Sequence, residues 1–200
     1  GHAADEVQSE FADEPRCHFA LQQPQLGTGH AVMVTRSVLD QIDPPEVVVL
    51  PGDAPLITPE TIERLIAARR NENAAASLAT ASLDDPTGYG RIIRDDKDRF
   101  ARIVEEKDAD ESQKKICEIN TGYACFQTGP LFDALDRIDD QNQQGEYYLT
   151  DVPEILRQDG QAVALVDRVD PTQMLGANTP EQLATIDELL RQRTETGATP

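Results

Sequence analysis

Glu46-Val47-Val48-Val49-Leu50-Pro51-Gly52-Asp53, followed by Thr58-Pro59-Glu60, decides the fold. E-V-V-V-L is a short β-branched run, the signature of a buried parallel strand. Pro51 and Gly52 end it. Thr58 then caps a helix, Pro59 fits the first helical turn and Glu60 suits the positive end of the dipole. Ile62, Leu65 and Ile66 give that helix its apolar stripe. Strand, loop and helix in this order form the repeating unit of an α/β sheet. Asp53 lies just past the strand, at the carboxyl edge where open α/β folds bind ligands.

The same alternation extends in both directions. Upstream, residues 3–12 read as a short amphipathic helix and 17–21 as a strand. Residues 28–42 read as one helix with Ala31, Val34, Val38 and Ile42 on a buried face. Downstream, strands are predicted over 75–83, 91–94, 100–105, 116–126 and 162–166. Helices are predicted over 131–138 and 151–158, the latter closed by Gly160. Thr179-Pro180-Glu181-Gln182 opens a last helix with a capping-box pattern. The fold class is therefore α/β with a mostly parallel sheet, and the strand-rich stretch 87–127 suggests a smaller β-rich lobe. One domain over 1–190 and a flexible tail over 191–200 account for the chain. It starts inside a helix with no strand before it, which reads as an incomplete N-terminus.

The 200 residues suffice for one sizeable core, burying roughly 70% of the unfolded surface. No apolar run approaches the ~18 residues of a membrane span, and no signal peptide is visible. The net charge is −19, from 37 acidic and 18 basic residues, with no basic stripe. Nucleic acid and an anionic membrane are thereby excluded as partners. The charge reads as a solvated, solubilising surface or as adaptation to high salt. Cys17, Cys117 and Cys125 are odd in number and have no C-x-x-C spacing, so neither a disulfide framework nor a structural zinc site is expected. Reduced thiols in a cytoplasm are the simple reading, with Cys17 and Cys125 as core filler.

Several short motifs could carry chemistry, and each has a plainer reading beside it. Gln25-Leu26-Gly27-Thr28-Gly29-His30 is either a loop that lets a ligand approach a helix N-terminus or a tight turn into that helix. Gly52 leaves room for a flat group and Asp53 offers a hard oxygen suited to Mg2+, or the pair is simply an Asp-Ala-Pro turn. Thr87-Gly88-Tyr89-Gly90 can lie against a sugar-like ligand or start a hairpin. Asn120, inside a strand, needs a hydrogen-bond partner if buried: a ligand hydroxyl, or a turn or bulge. Asn178 is either the residue before a helix cap or a second hard ligand for a metal.

Together, in order, the motifs are Q-L-G-T-G-H-A-V, V-L-P-G-D-A-P-L-I, D-D-P-T-G-Y-G-R-I, I-V-E-E-K-D-A, E-I-N-T-G, Q-G-E-Y-Y-L-T-D and G-A-N. This series resembles the uridyltransferase domain of the bifunctional N-acetylglucosamine-1-phosphate uridyltransferase/acetyltransferase family, over about residues 1–189. The resemblance implies a Rossmann-like nucleotidyltransferase fold with a β-rich sugar-binding lobe. It implies uridyl transfer from UTP to N-acetylglucosamine-1-phosphate, in the cytoplasm, as a step in peptidoglycan precursor synthesis.

Carried over position by position, the resemblance implies that Gln22, Gly27 and Thr28 contact uracil and ribose. Pro51, Gly52 and Asp53 would line the nucleotide site. Asp53 and Asn178 would bind Mg2+, the one cofactor implied and the catalytic pair. Gly90, Glu105 and Asn120 would hold the N-acetylglucosamine, with Glu146 and Tyr148 supporting that pocket from behind. Three departures stand out. The family's first strand with its L-A-A-G-x-G-T-R-M loop and following lysine is not in this sequence. Neither is its C-terminal β-helix of hexapeptide repeats. Pro24 replaces a usually acidic or polar residue. These departures leave two alternatives: a nucleotide-sugar-binding module without turnover, or a nucleotidyltransferase for another base or sugar. Oligomeric state is left open.

Overall fold

The structure, a computed structural model, describes residues 3–195. Its elements follow the alternation read from the sequence. They are α1 (Ala4–Glu10), α2 (Thr28–Met33), α3 (Arg36–Ile42), β1 (Glu46–Val49), α4 (Pro59–Asn71), β2 (Ala76–Ser82) and β3 (Arg91–Arg94). After these come β4 (Phe100–Val104), β5 (Glu118–Gln127), α5 (Thr128–Leu135), α6 (Val152–Gln158), β6 (Val163–Val166) and α7 (Pro180–Glu195). α7 runs on through 191–195, where a tail was expected. The remainder of that tail, 196–200, lies outside the described residues.

The six strands form one mixed sheet in the order β4-β3-β5-β2-β6, with β1 also paired to β5. Only β2 and β6 are adjacent and parallel. β1, β2 and β3 each pair antiparallel with β5. The expectation of a mostly parallel sheet is thus corrected. β1 does run in the same direction as β2 and β6, but the reversed β5 separates it from them. β1 is half-buried, not fully buried. The β3–β4 hairpin joins the same sheet through β5, so the β-rich lobe is an extension of the main sheet.

Side-chain alternation sorts the core into two layers. Ala76 and Leu78 of β2, with Ala124 and Phe126 of β5, face α5 and α6 and pack on Leu131, Phe132, Leu135, Val152 and Leu156. Ala79 and Ala81, with Ile119, Tyr123 and Cys125, face the other way and pack on Leu65 of α4 and on Val166 and Met174. The result is a three-layer α/β/α architecture.

Three local expectations are revised. Residues 17–21 form no strand: Phe19 and Leu21 are 42% and 55% exposed, so no sheet position draws them in. Residues 28–42 form two helices. The break lies at Val34–Thr35, where the Thr35 hydroxyl donates to the Val32 carbonyl at 2.7 Å and competes with the helical ladder. Ala31 and Ile42 are consequently exposed, and Val32 is the residue of α2 that enters the core. In α4 the buried line is Thr61, Leu65 and Arg69, with Ile62 and Ile66 only half-buried. Polar partners explain the rotation. Thr61 donates to Gln173 at 2.8 Å, and Arg69 donates through Nε to Glu46 at 2.7 Å. All three cysteines are free; Cys125 is buried, Cys17 half-buried and Cys117 exposed.

Glu46 starts β1 and is clamped by two arginines of α4, Arg69 and Arg70. Burial pushes its carboxyl up, but the hydrogen bonds from Arg70 and Arg69 outweigh it and hold the group below the usual range. The pair ties the sheet to α4. Glu46→Gln leaves the nearly buried Arg69 short of a charged acceptor and is expected to cost about 1.5–3 kcal/mol in urea denaturation. Unchanged stability would show that the clamp contributes nothing.

Asp151 precedes α6 beside Glu154, Asp139, Glu105 and Asp108. Burial first, and then these charges, raise its carboxyl to about 6. The folded protein therefore holds this proton more tightly than the unfolded chain does. Stability falls as pH rises from about 4 to about 6 and the contribution then levels off. Asp151→Asn is expected to match the parent near pH 4 and to exceed it in stability above pH 6. A difference between the two that is the same at both pH values would contradict this account.

Candidate active site

A cavity of about 460 Å3 opens where the α2 N-terminus, the end of β1, the bend of β5 and the β3–β4 hairpin meet. Its floor is apolar: Val32, Val49, Leu78, Ala124 and Phe126. Its rim is polar. Thr28, Pro51, Gly90, Glu105 and Asn120, all singled out from the sequence, lie in its wall. Glu105 stands just past β4 and accepts a 2.7 Å hydrogen bond from the Thr150 hydroxyl. Gly90 leaves space there: a Cβ would lie 3.0 Å from Ile103 and 3.3 Å from Glu105 Oε2. The backbone N–H of Asn120 donates to the Gly90 carbonyl at 2.8 Å. Among the described residues, Glu105 is the one charged group in the wall, and no lysine or arginine lines it. A largely apolar cavity with a few convergent polar groups is the usual form of a small-molecule site.

Asn120 fits its reading as a bulge residue. It lies where β5 bulges, its Oδ1 accepting from the Gly122 N–H at 3.2 Å, and it also lines the cavity.

Asp53 and Asn178 are brought together across 125 residues of chain. A Cβ on Gly176 would lie 3.1 Å from Asp53 Oδ2 and 2.9 Å from Asn178 Nδ2, so both side chains crowd the space that this glycine leaves. The Ala177 N–H donates to the Asp53 carbonyl at 2.9 Å and locks the two loops. Asn178 precedes Thr179, whose hydroxyl accepts from the Gln182 N–H at 3.2 Å as the helix cap requires; Gln182 Oε1 accepts in turn from the Asn178 N–H. Both side chains are solvent-exposed. A carboxylate and a side-chain amide, each with a hard oxygen, suit a magnesium ion that keeps waters and takes phosphate oxygens. Burial, together with the charge of Asp53, pushes the Tyr123 hydroxyl up to about 12, so it stays protonated. No group of three or more His, Cys, Asp or Glu side chains is placed to hold a metal among the described residues.

The Gln22–Gly29 region, expected at the uracil and ribose, reaches this cavity through Thr28. Gln22 and Gly27 do not line the cavity. Gln22 Nε2 donates to the Gly27 carbonyl at 2.9 Å and lies 3.3 Å from His30 Nδ1. The Leu26 carbonyl accepts from the Tyr147 N–H, and the Gly29 N–H donates to the Tyr147 carbonyl, both at 2.8 Å. A Cβ on Gly27 would meet the Tyr147 carbonyl at 2.7 Å, and one on Gly29 would meet Ile138 Cδ1 at 2.5 Å. The two glycines are therefore required by packing against 146–149. Thr28 is not the cap but the first helical residue, and its hydroxyl accepts from the Leu149 N–H at 3.1 Å.

Gly52 is exposed in the turn between the two parts of the site. Tyr148 is buried but faces a neighbouring acidic cavity with Asp108, Asp139, Asp151 and Glu154, and accepts at its hydroxyl from Gln144 at 2.8 Å. Glu146 sets its Cβ against the Gly27 backbone. Three residues escaped the sequence reading. Thr150 orients Glu105, Gly122 lets Pro51 close in where a Cβ would lie only 3.0 Å from its ring, and Gly176 makes room for the Asp53–Asn178 pair. The glycine in G-A-N was the available signal for the last.

No helix of the described residues is long and apolar enough to cross a membrane. Three curated relatives are similar to the chain. The Bifunctional protein GlmU of Enterococcus faecalis is 44% identical over 193 residues, and that of Halalkalibacterium halodurans 45% over 193, each covering 96% of this chain and 42% of the relative. That of Heliobacterium modesticaldum is 47% identical over 194 residues, again 96% of this chain and 42% of the relative. The chain thus spans less than half the length of the curated relatives it matches. The family model described as Nucleotidyl transferase matches residues 2–171, most of the chain, and the chain belongs to that nucleotidyl transferase family.

Proposed function

We propose that this chain is a uridyltransferase that joins UTP and N-acetylglucosamine-1-phosphate to give UDP-N-acetylglucosamine and pyrophosphate. The observation that carries the reading is the division of the site. A cavity whose wall holds no cation and one carboxylate, with Gly90, Glu105 and Asn120 on its rim, adjoins an Asp53–Asn178 pair built from hard oxygens. The first suits an uncharged polyhydroxyl ring and its acetamido group. The second suits a metal beside phosphates. Similarity to bifunctional GlmU proteins supports the sugar and the base.

In this reading Asn120 and Glu105 bind sugar hydroxyl and amide groups, and Thr150 fixes the carboxylate that does so. The apolar floor excludes water. Pro51 of the wall leads directly into Gly52 and Asp53, so the sugar phosphate is directed toward the Asp53–Asn178 pair. Magnesium, when bound by Asp53 and Asn178, supplies neutralisation of phosphate charge. The attacking phosphate is already an anion, so the chain has no proton to remove, and its task is alignment of two substrates. A second reading follows from the wall's lack of lysine and arginine: the chain binds the nucleotide sugar without turning it over. Pyrophosphate release from UTP and N-acetylglucosamine-1-phosphate separates the two.

Asp53→Asn is expected to lower magnesium-dependent pyrophosphate release by about 100-fold with the circular dichroism spectrum unchanged, a loss on the scale of one metal contact. Equal rates at subsaturating magnesium would remove Asp53 from the metal site.

Asn120→Ala is expected to weaken UDP-N-acetylglucosamine binding roughly 2- to 12-fold while UDP binding holds, the effect of one lost hydrogen bond. Calorimetric titration with both ligands reads this out. A loss shared equally by UDP would place Asn120 outside the sugar site.

A further inference from the structure

Arg91 opens β3 with a side chain only 1% exposed, among the largest fully buried side chains. Its Cα is in register with Val104 of β4 and Ile119 of β5, so it stands at the junction of three strands. One terminal nitrogen donates to the Tyr89 carbonyl. The other donates to Glu106 Oε2 at 2.6 Å and to the Lys114 carbonyl at 3.4 Å. Glu106 Oε2 also accepts from the Gly88 N–H at 3.3 Å. The guanidinium thereby ties the 86–90 loop, the chain just after β4 and the turn at 113–115 to one point. Gly88, Tyr89, Gly90 and Glu105, all cavity wall, sit on the first two of these segments.

Stability alone does not account for this arrangement. The Arg91 Nε is buried without a hydrogen-bond partner, which costs free energy. A buried ion pair is commonly replaced by apolar residues without loss of stability. What the guanidinium provides, and an apolar side chain would not, is a fork that reaches a carbonyl and a carboxylate on separate segments at once. Arg91 also holds the Glu106 carboxyl below its usual range through that hydrogen bond, so Glu106 stays ionised and keeps its grip on Gly88.

We propose that Arg91, acting through Glu106, is a positioning residue for sugar recognition: it sets the Gly88–Gly90 edge of the cavity against Glu105 without touching the ligand. This rests on the reading of the cavity as the sugar site. An uncharged ring gains little from charge, so discrimination depends on the placement of a few hydrogen-bonding groups. A loose loop would blunt it while leaving the nucleotide contacts intact.

Arg91→Lys keeps the charge and removes the fork. Glu106→Gln keeps the shape at a partly exposed site and removes the carboxylate, should the lysine variant fail to fold. Each variant, and the double variant, is titrated with UDP-N-acetylglucosamine and with UDP. Hydrogen exchange of the Gly88 and Tyr89 amides is followed without ligand. The expected result is about a 10-fold loss of affinity for the nucleotide sugar, UDP affinity within about 2-fold, faster exchange at both amides, and a double variant no weaker than the worse single one. Equal losses for both ligands, or an unchanged affinity for the nucleotide sugar, would overturn the proposal. Parent protein that binds the nucleotide sugar no more tightly than UDP would overturn the sugar-site reading instead. The amides then decide the clamp: faster exchange sustains it and unchanged exchange ends it.

Discussion

β5 has to serve two partners along one flank, and the rest of the site depends on how it does so. On its other side β2 follows it from Glu118 to Phe126. On this side β3 meets it at Ile119, and β1 takes over from Ala124 to Gln127. A straight strand would present one continuous edge. Instead, Thr121, Gly122 and Tyr123 oppose a single residue of β2, Ala79, and Gly122 adopts φ 81°, where a side chain would be strained. The bulge satisfies its own backbone. Thr121 donates to the Ala79 carbonyl at 2.9 Å and accepts from the Tyr123 N–H at 3.2 Å, while Asn120 accepts from the Gly122 N–H. The hairpin and β1 consequently part, and the cavity lies between them. Pro51 closes against Gly122 from the β1 side.

That bulge also marks the limit of what the sequence discloses. Strand positions were legible because β-branched runs and turn residues bound them: Arg91–Arg94 agrees to the residue, and E-V-V-V-L is β1 with its last residue left out. The Thr58 and Thr179 caps were legible because hydroxyl chemistry at a helix start is local. Strand direction was not legible, since a buried run reads alike in a parallel and an antiparallel neighbour. The 17–21 run failed for a related reason: Cys17, Phe19 and Leu21 suit a strand, yet no neighbour takes them. The turn of α4 was hidden because Thr61 and Arg69 are buried by partners distant in sequence, Gln173 and Glu46.

The candidate site divides along the same line. Thr28, Pro51, Gly90, Glu105 and Asn120 come from five separate motifs, yet the structure gathers them around one cavity, and Asp53 and Asn178 around one glycine. Their order in the sequence carried that grouping, because a fold places ordered motifs in fixed relation. What the sequence could not separate was a glycine kept for a ligand from a glycine kept for packing. Q-L-G-T-G looked like a ligand loop, and its glycines turn out to admit the Tyr147 backbone. That packing agrees with the plainer reading of a tight turn, and Thr28 brings the loop to the cavity.

Charge explains why the site is organised in two parts. The chain carries −19, and many of its arginines are committed to internal pairs: Arg69 and Arg70 on Glu46, Arg94 on Glu118 and Asp167, Arg137 on Asp159. Such pairs fix elements in place, but they leave little positive field for a phosphate. A cavity free of cations is then suited to the neutral portion of a ligand and unsuited to its anionic portion. The acidic surface repels a polyphosphate at distance, and salt weakens this beyond about 10 Å. Close in, a carboxylate and an amide on two loops that meet at Gly176 can concentrate positive charge only by holding a cation. In the proposed reading, recognition of the uncharged ring falls to the strands of the sheet and their hairpin. The same reading gives the response to phosphate to the loops at its carboxyl edge, where Asp53 follows β1.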